Sequence, residues 1–166
     1  MKIKIFILGL TFTLMIGAVT CTAARRGFED NIPAADIAIG GIELGASESY
    51  VKRIYGEPDD ISFQEHGFMG YRTKTYRYGN SFFIMFWQGN KGDTTWSVLD
   101  VKTTANNGLK TPRGFTVGMS RAALFDYYGA GNGDETYSRY HAIWYLNIMF
   151  KFEAGKISEI HIYPTP

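Results

Sequence analysis

A motif that occurs twice constrains the fold of this chain most strongly. Residues 41–47 read Gly-Ile-Glu-Leu-Gly-Ala-Ser and residues 114–120 read Gly-Phe-Thr-Val-Gly-Met-Ser, and each leads into a short segment ending in Tyr-Gly, at 55–56 and 128–129. The last serine of each motif can accept hydrogen bonds from free amides at a helix start, and the glycine can adopt the positive φ that ends a helix. The sequence therefore predicts two helices of roughly two to three turns, which need a sheet to pack on.

The remainder of each copy has the pattern of antiparallel strands. Aromatic and β-branched residues cluster at 71–78, 81–87 and 95–103 in the first copy, and at 140–152 and 157–163 in the second. Strands that are joined by short polar turns pair in antiparallel fashion. Each copy is therefore expected to fold as a helix packed on an antiparallel meander, and the fold class is α+β.

Charged residues help to predict the structure of two segments of the first copy. Basic residues lie between the aromatic residues of 71–78, a pattern typical of an exposed edge or outer strand, with a strip that binds nucleic acid or glycan as the alternative. The segment 59–65 carries several acidic residues, and we assign it to a loop.

Later blocks of the two copies also match in order. Residues 82–86 align with 146–150, and residues 98–101 align with 157–160. Blocks that keep one order while only the loop lengths change indicate a tandem duplication. The turn-rich residues 106–108 join the two halves.

The N-terminus has the organisation of a secretory signal peptide. Lys2 and Lys4 precede an uncharged apolar run at 5–19, and small residues follow up to Ala24. The run is shorter than the roughly 20 residues that span a membrane. We predict cleavage near Ala24, with Ala23 as the next choice, and export to the periplasm or the medium. The alternatives are an uncleaved anchor and a buried strand. The chain is therefore divided into a signal peptide at 1–24, a leader at 25–37, repeat 1 at 38–105 and repeat 2 at 108–166.

Charge and the single cysteine narrow the possible partners. Cys21 follows Ala18 and Thr20, which match a lipobox poorly, so lipidation at Cys21 is the weaker alternative to simple export. Removing 1–24 takes away two of 17 basic residues and none of 16 acidic ones, which leaves 15 − 16 = −1. A near-neutral exported domain is not attracted to nucleic acid. We expect the protein to contact a membrane only through the signal peptide or through a lipid on Cys21.

The order of these elements resembles two related groups of proteins. A strand, Gly-x-Ser, a short helix ending in Tyr-Gly-x-Pro at 55–58, and an aromatic meander are similar to the small SmpA/OmlA (BamE-like) envelope lipoproteins. The tandem arrangement looks more like the β-lactamase inhibitor protein (BLIP) family. The resemblance covers most of 39–163 and rests on 45–58 and 118–129. It implies a non-catalytic, exported protein-binding fold whose sheet forms a concave surface, without implying that a β-lactamase is the partner.

Alternation along the strands separates a core face from a candidate binding face. We assign the following side chains to the core: Phe82, Ile84, Phe86, Trp144, Leu146, Ile148, Phe150 and Phe152. The opposite face mixes aromatic residues, methionines and charges, as protein interfaces do. We predict that it binds another protein, the alternative being that it packs against another part of the chain. The candidate partner-binding residues are Phe83, Met85, Trp87, Trp96, Asp100, His141, Tyr145, Met149, His161 and Tyr163.

No catalytic constellation, cofactor loop or metal motif emerges from the sequence. The glycine-rich segment 129–133 follows a helix instead of preceding one, so it is no dinucleotide loop. A metal site formed by His141, Glu159 and His161 is a minor alternative to a packed pair of histidines. We therefore expect no enzyme, no cofactor and no metal. The alternative functions are an envelope-assembly lipoprotein-like factor and a secreted small-ligand-binding protein or hydrolase.

Overall fold

An antiparallel sheet with two helices on one face is the main feature of the computed structural model. The structure describes residues 32–67, 70–89, 93–129, 131, 133–136, 141–145 and 147–164. In chain order its helices and strands are β1 (Ala38–Ile39), β2 (Ile42–Glu43), α1 (Glu48–Tyr55), β3 (Asp60–His66), β4 (Tyr71–Tyr78), β5 (Phe82–Gln88), β6 (Ser97–Thr103), α2 (Arg121–Tyr128), β7 (Gly133–Thr136), β8 (His141–Tyr145), β9 (Ile148–Glu153) and β10 (Lys156–Ile162).

Among the described residues, eight strands form the main sheet in the order β3-β4-β5-β6-β10-β9-β8-β7, while β1 and β2 form a separate hairpin. All neighbouring strands are antiparallel, so the predicted α+β class is confirmed. In the middle of the sheet β6 pairs with β10, with Lys102 opposite His161.

The two helices begin and end where their capping residues predict. The Ser47 hydroxyl accepts a hydrogen bond from the Tyr50 amide at 3.2 Å, and the Ser120 hydroxyl accepts one from the Ala123 amide at 3.3 Å. After each helix a glycine takes a positive φ, 76° in one case and 77° in the other. Such local chemistry satisfies the free amides at a helix start and ends the helix within one residue.

The core lies between the helices and one face of the main sheet. Val51 of α1 and Leu124 of α2 are fully buried against it. Aromatic contacts extend this packing, since the Tyr55 ring centroid lies 5.0 Å from that of Phe82 and the Tyr128 ring lies 5.4 Å from that of Tyr145. Short helices gain their stability from burial of this kind rather than from helix propensity.

Two strands, β8 and β9, lie within the segment 140–152, where strands are predicted, but they do not share the single alternation of faces that the prediction assumes. β8 and β9 form a hairpin in which Tyr145 is opposite Ile148 and Trp144 is opposite Met149. Residues directly opposite each other in a sheet share a face. Tyr145 therefore faces the core, 2% exposed, and Trp144 takes the other face, so the predicted faces of these two residues are wrong.

The strand at the edge of the sheet is not the one that the sequence analysis expects there. The segment 59–65, assigned to a loop, contributes β3, which pairs with β4 from Asp60 to His66. The segment 71–78, expected at an edge, is β4 and lies between β3 and β5. An edge strand is exposed on both faces, so its sequence lacks the apolar alternation by which strands are recognised.

The predictions for the N-terminus concern residues that the structure does not describe. The predicted signal peptide 1–24 and Cys21 lie there, as does most of the leader. Among the residues that are described, no helix is long and apolar enough to cross a membrane.

Candidate protein-binding face

The sheet face opposite the helices, which we call the open face, carries a line of large side chains on β5. Phe83, Met85 and Trp87 alternate with fully buried core residues of the same strand and form what we call the aromatic stripe. Trp87 is 43% exposed, and Phe83 and Met85 are partly exposed. All three lie on the predicted face because β5 is regular and pairs with β4 over its whole length.

Charged groups on β6 and β10 occupy the middle of the open face, beside the aromatic stripe. His161 Nε2 forms a short hydrogen bond with Asp100 Oδ2 across the two strands, an ion pair whenever the imidazole is protonated. Lys102 places its ammonium 5.2 Å from the Phe83 ring centroid. Sequence reasoning did not select Lys102, although alternation from Asp100 would have placed it on the same face.

Tyr163 extends this polar region beyond the end of β10. Its ring centroid lies 5.1 Å from that of His161, and its amide donates to the Asn147 carbonyl at 3.1 Å. Burial raises the pKa of the Tyr163 hydroxyl above its ordinary value, so the hydroxyl stays protonated and can donate a hydrogen bond at neutral pH.

The second half of the open face is less exposed and more polar than predicted. Met149 is only 8% exposed, because Trp144 lies directly opposite it on β8 and His161 directly opposite it on β10. Met149 therefore lies on the predicted face but is nearly buried, and its contact with a partner stays a prediction. Lys151 pairs with Glu159 at 3.1 Å on the same side. For His141, the backbone belongs to β8, and the side chain lies outside the described part of the structure.

Trp96 lies on the helix side of the sheet, not on the open face. Its ring centroid is 4.2 Å from the Lys74 ammonium, and its carbonyl accepts from the Glu48 amide at 3.2 Å. A bulge explains the error, because Leu99 is an extra residue in β6 between Val98 and the residue opposite Met85. Such a bulge reverses the alternation for every residue that precedes it.

Beneath α1 lies an ionic cluster that the sequence analysis did not detect. The side chain of Lys74 is 7% exposed, and its ammonium lies 2.7 Å from Glu48 Oε2. The Tyr76 hydroxyl donates to Glu48 Oε1. Burial alone would raise the pKa of Glu48, but hydrogen bonds from Lys74 and Tyr76 outweigh it and hold this pKa below its ordinary value. The cluster fastens α1 to β4 and leaves no free base or nucleophile in it.

Small-molecule and metal sites find little support in this geometry. Depressions of about 340 and 440 Å³ lie elsewhere among the described residues, and neither of these two is lined by a residue of the aromatic stripe. In the described ranges, no three His, Cys, Asp or Glu side chains cluster so that they could hold a metal ion.

Comparisons of the chain with protein-family models, with curated proteins and with solved structures found no match. The geometry of the open face is therefore the basis on which a function can be assigned.

Proposed function

We propose that this protein is an exported, non-catalytic binding module that holds another protein against its open face. The observation that carries the proposal is Trp87, which is 43% exposed near the end of β5, in line with Phe83 and Met85 on the open face. A tryptophan left in water gives up the stabilisation that burial would provide. Tryptophan is also the residue type most enriched among the anchors of protein interfaces.

The surroundings of the aromatic stripe fit the anatomy of an interface. Beside the stripe lie charged groups that already have partners, Asp100 with His161 and Lys151 with Glu159. Paired charges at a rim cost little to desolvate compared with unpaired ones, and they supply polar contacts around an apolar centre. We therefore place the centre of the interface on β5 and its rim on β6 and β10.

We further infer that the fold arose by tandem duplication, with repeats at 38–105 and 108–166. The connection before each helix supports this inference. The Gly45 amide donates to the Val98 carbonyl at 2.7 Å, and the Gly118 amide donates to the Ile157 carbonyl at 2.8 Å. The glycine in each case belongs to the repeated motif, and the acceptor lies at the start of the last strand of its half.

The pairing of β6 with β10 supports the same inference. Lys102 and His161 are opposite each other, and both follow the repeated block by one residue. The flanking pairs are Val101 with Ile162 and Thr103 with Ile160. Val101 corresponds to Ile160, and Thr103 corresponds to Ile162. Exchanging each residue for its counterpart therefore turns one flanking pair into the other, as a local twofold axis requires.

The positions of the bulges refine the alignment of the halves. Leu99 is the extra residue of β6 and Ser158 is the extra residue of β10. Phe82 lies opposite Thr103, and Ile148 lies opposite Ile162, the counterpart of Thr103, so Phe82 and Ile148 correspond in the inferred alignment of the halves. The match of Phe82 with Leu146 that the sequence suggests differs from this alignment by two residues.

With the corrected alignment, the halves agree in the core and differ on the open face. The aromatic stripe of the first half corresponds to Met149, Lys151 and Glu153 in the second. Duplicated halves that keep their core positions preserve the fold, whereas divergence on one surface creates a single site. We therefore place binding in the first half.

Export, the absence of enzymatic activity and the relation to BLIP-like and SmpA/OmlA-like proteins belong to the proposal as well. They rest on the signal-like residues 1–24 and on the repeated helix and meander, and they name no partner. N-terminal sequencing and mass measurement of protein recovered outside the cytoplasm would test cleavage after Ala24 and lipidation of Cys21.

The binding proposal is tested by replacing Trp87 with alanine. Tagged protein is used to capture proteins from the extracytoplasmic fraction of the cells that produce it, and the captured proteins are quantified by mass spectrometry. An anchor of about 2 kcal/mol predicts binding that is about 30-fold weaker for Trp87→Ala. The matched control is Tyr127→Ala, because Tyr127 is a similarly exposed aromatic residue on α2, and it should capture the partner like the original protein. A partner lost from the control but retained by Trp87→Ala would refute the proposed site.

A further inference from the structure

The edge strand β3 is the most exposed of the strands whose side-chain burial the structure describes. All of its residues from Asp60 to Glu65 are exposed, and only His66 is half-buried. One side of its backbone pairs with β4 along seven residues. In the part of the chain that the structure describes, nothing pairs with its other side. An edge of this kind presents a row of free amides and carbonyls to any strand that approaches it.

This edge lacks most of the features by which proteins prevent strand addition. Natural edges are kept short, bulged, or guarded by proline or charged side chains, lysine above all, and of these β3 has only the charged side chains Asp60 and Glu65. β3 contains neither lysine nor proline, and its register with β4 runs from Asp60 to His66 without interruption. At the opposite end of the sheet, β7 has four residues against the seven of β3.

Large apolar side chains follow the same edge on the helix side. Phe63 is 70% exposed and Ile61 is 41% exposed, and Phe63 is the most exposed large apolar side chain among the described residues. Phe63 is partly supported by the Trp96 ring, whose centroid lies 6.5 Å away. An unpaired backbone and exposed apolar side chains thus coincide on one strand.

We propose that β3 pairs in antiparallel fashion with β3 of a second copy of this chain, about a twofold axis at Phe63. In this register the opposed pairs are Asp60 with His66, Ile61 with Glu65, Ser62 with Gln64, and Phe63 with Phe63 of the second copy. The choice of a second copy rests on self-complementarity. An acidic side chain meets an imidazole at both ends, two polar side chains meet between them, and no like charges are opposed.

The arrangement joins two main sheets edge to edge and leaves the open face of each copy free. It is independent of the proposed binding function, since it uses the helix side and the edge of the sheet instead of the aromatic stripe. Each dimer would then present two aromatic stripes, which raises the avidity for a partner with repeated sites.

The position of Phe63 on the proposed axis permits a charge-exchange test. Protein expressed from the full sequence should show a concentration-dependent rise to twice the monomer mass in sedimentation and light-scattering measurements. Phe63→Lys and Phe63→Glu should each remain monomeric, since each opposes two like charges. An equimolar mixture of the two should recover the dimer. The control is Ile54→Lys, which adds the same charge at an exposed apolar position on α1 and should still dimerise.

Two further measurements keep the proposal falsifiable. Backbone amide exchange across 60–66 should slow as the protein concentration rises, a readout that needs no variant. A second pair of variants, Ile61→Glu and Trp87→Ala, separates the edge from the open face. Ile61→Glu places a carboxylate opposite Glu65 of the second copy, so only this variant should lower the dimer fraction. The proposal is overturned if the original protein stays monomeric at every concentration. It is also overturned if the mixture of charge variants fails to associate, or if Trp87→Ala abolishes the dimer.

Discussion

Replacing Tyr145 tests the assignment of faces in the second half of the sheet. Its side chain is 2% exposed, its hydroxyl donates to the Gly129 carbonyl at 2.7 Å, and its ring packs against Tyr128 and Phe150. Removing a buried aromatic ring costs about 3–5 kcal/mol. The hydrogen bond alone accounts for about 1 kcal/mol of this. We therefore expect Tyr145→Ala to lose about 3–5 kcal/mol, and Tyr145→Phe about 1 kcal/mol.

Urea unfolding followed by circular dichroism measures these losses. With a slope of about 2 kcal/mol per molar for a domain of this size, Tyr145→Ala should lower the midpoint by about 1.5–2.5 M and Tyr145→Phe by about 0.5 M. Trp87→Ala, on the open face, should change stability by no more than about 0.5 kcal/mol. If Tyr145→Ala unfolds within about 0.5 M of the original protein, or Trp87→Ala is equally harmful, the two faces have been exchanged.

Two further predictions concern the helices. Glu48→Gln removes a carboxylate whose pKa is lowered in the folded state, so its contribution is fully present above pH 4.5 and is lost as pH falls through the folded value. The stability gap between Glu48→Gln and the original protein should therefore narrow below pH 4.5 in urea titrations at a series of pH values, and a constant gap would contradict this. Ser47→Ala and Ser120→Ala should each cost about 1 kcal/mol by thermal unfolding, and about 2 kcal/mol together. Ser49→Ala removes a hydroxyl that lies 3.0 Å from the Ser47 hydroxyl but caps no helix amide itself. It should cost less than either cap variant, and equal losses would argue against the capping role.

The helices were predictable because their limits depend on residues close in the chain. Ser47 and Ser120 each cap an amide three residues ahead, and Gly56 and Gly129 end the helices that follow. No other part of the molecule is needed to make these contacts. The strands β4, β5 and β10 were located within one residue of their observed ends for a similar reason, since polar turns border them.

The orientation of individual side chains was less predictable. Tyr145 and Trp96 were both placed on the open face, and both face the helix side. In one case Tyr145 lies opposite Ile148 in a hairpin instead of sharing one alternation with β9, and in the other case the bulge at Leu99 reverses the alternation. Neither irregularity has a distinct composition, because each is defined by which residues of a neighbouring strand lie opposite it.

The sequence alone determined the α+β class, the two capped helices and the approximate position of most strands, because hydrogen bonds and turns between near neighbours in the chain specify them. The tertiary structure decided the order of the strands, the position of β3 at the edge and the exposure of Trp87. These features depend on pairing between residues distant in the chain, and a shift of one residue in such pairing moves a side chain from the core to the surface.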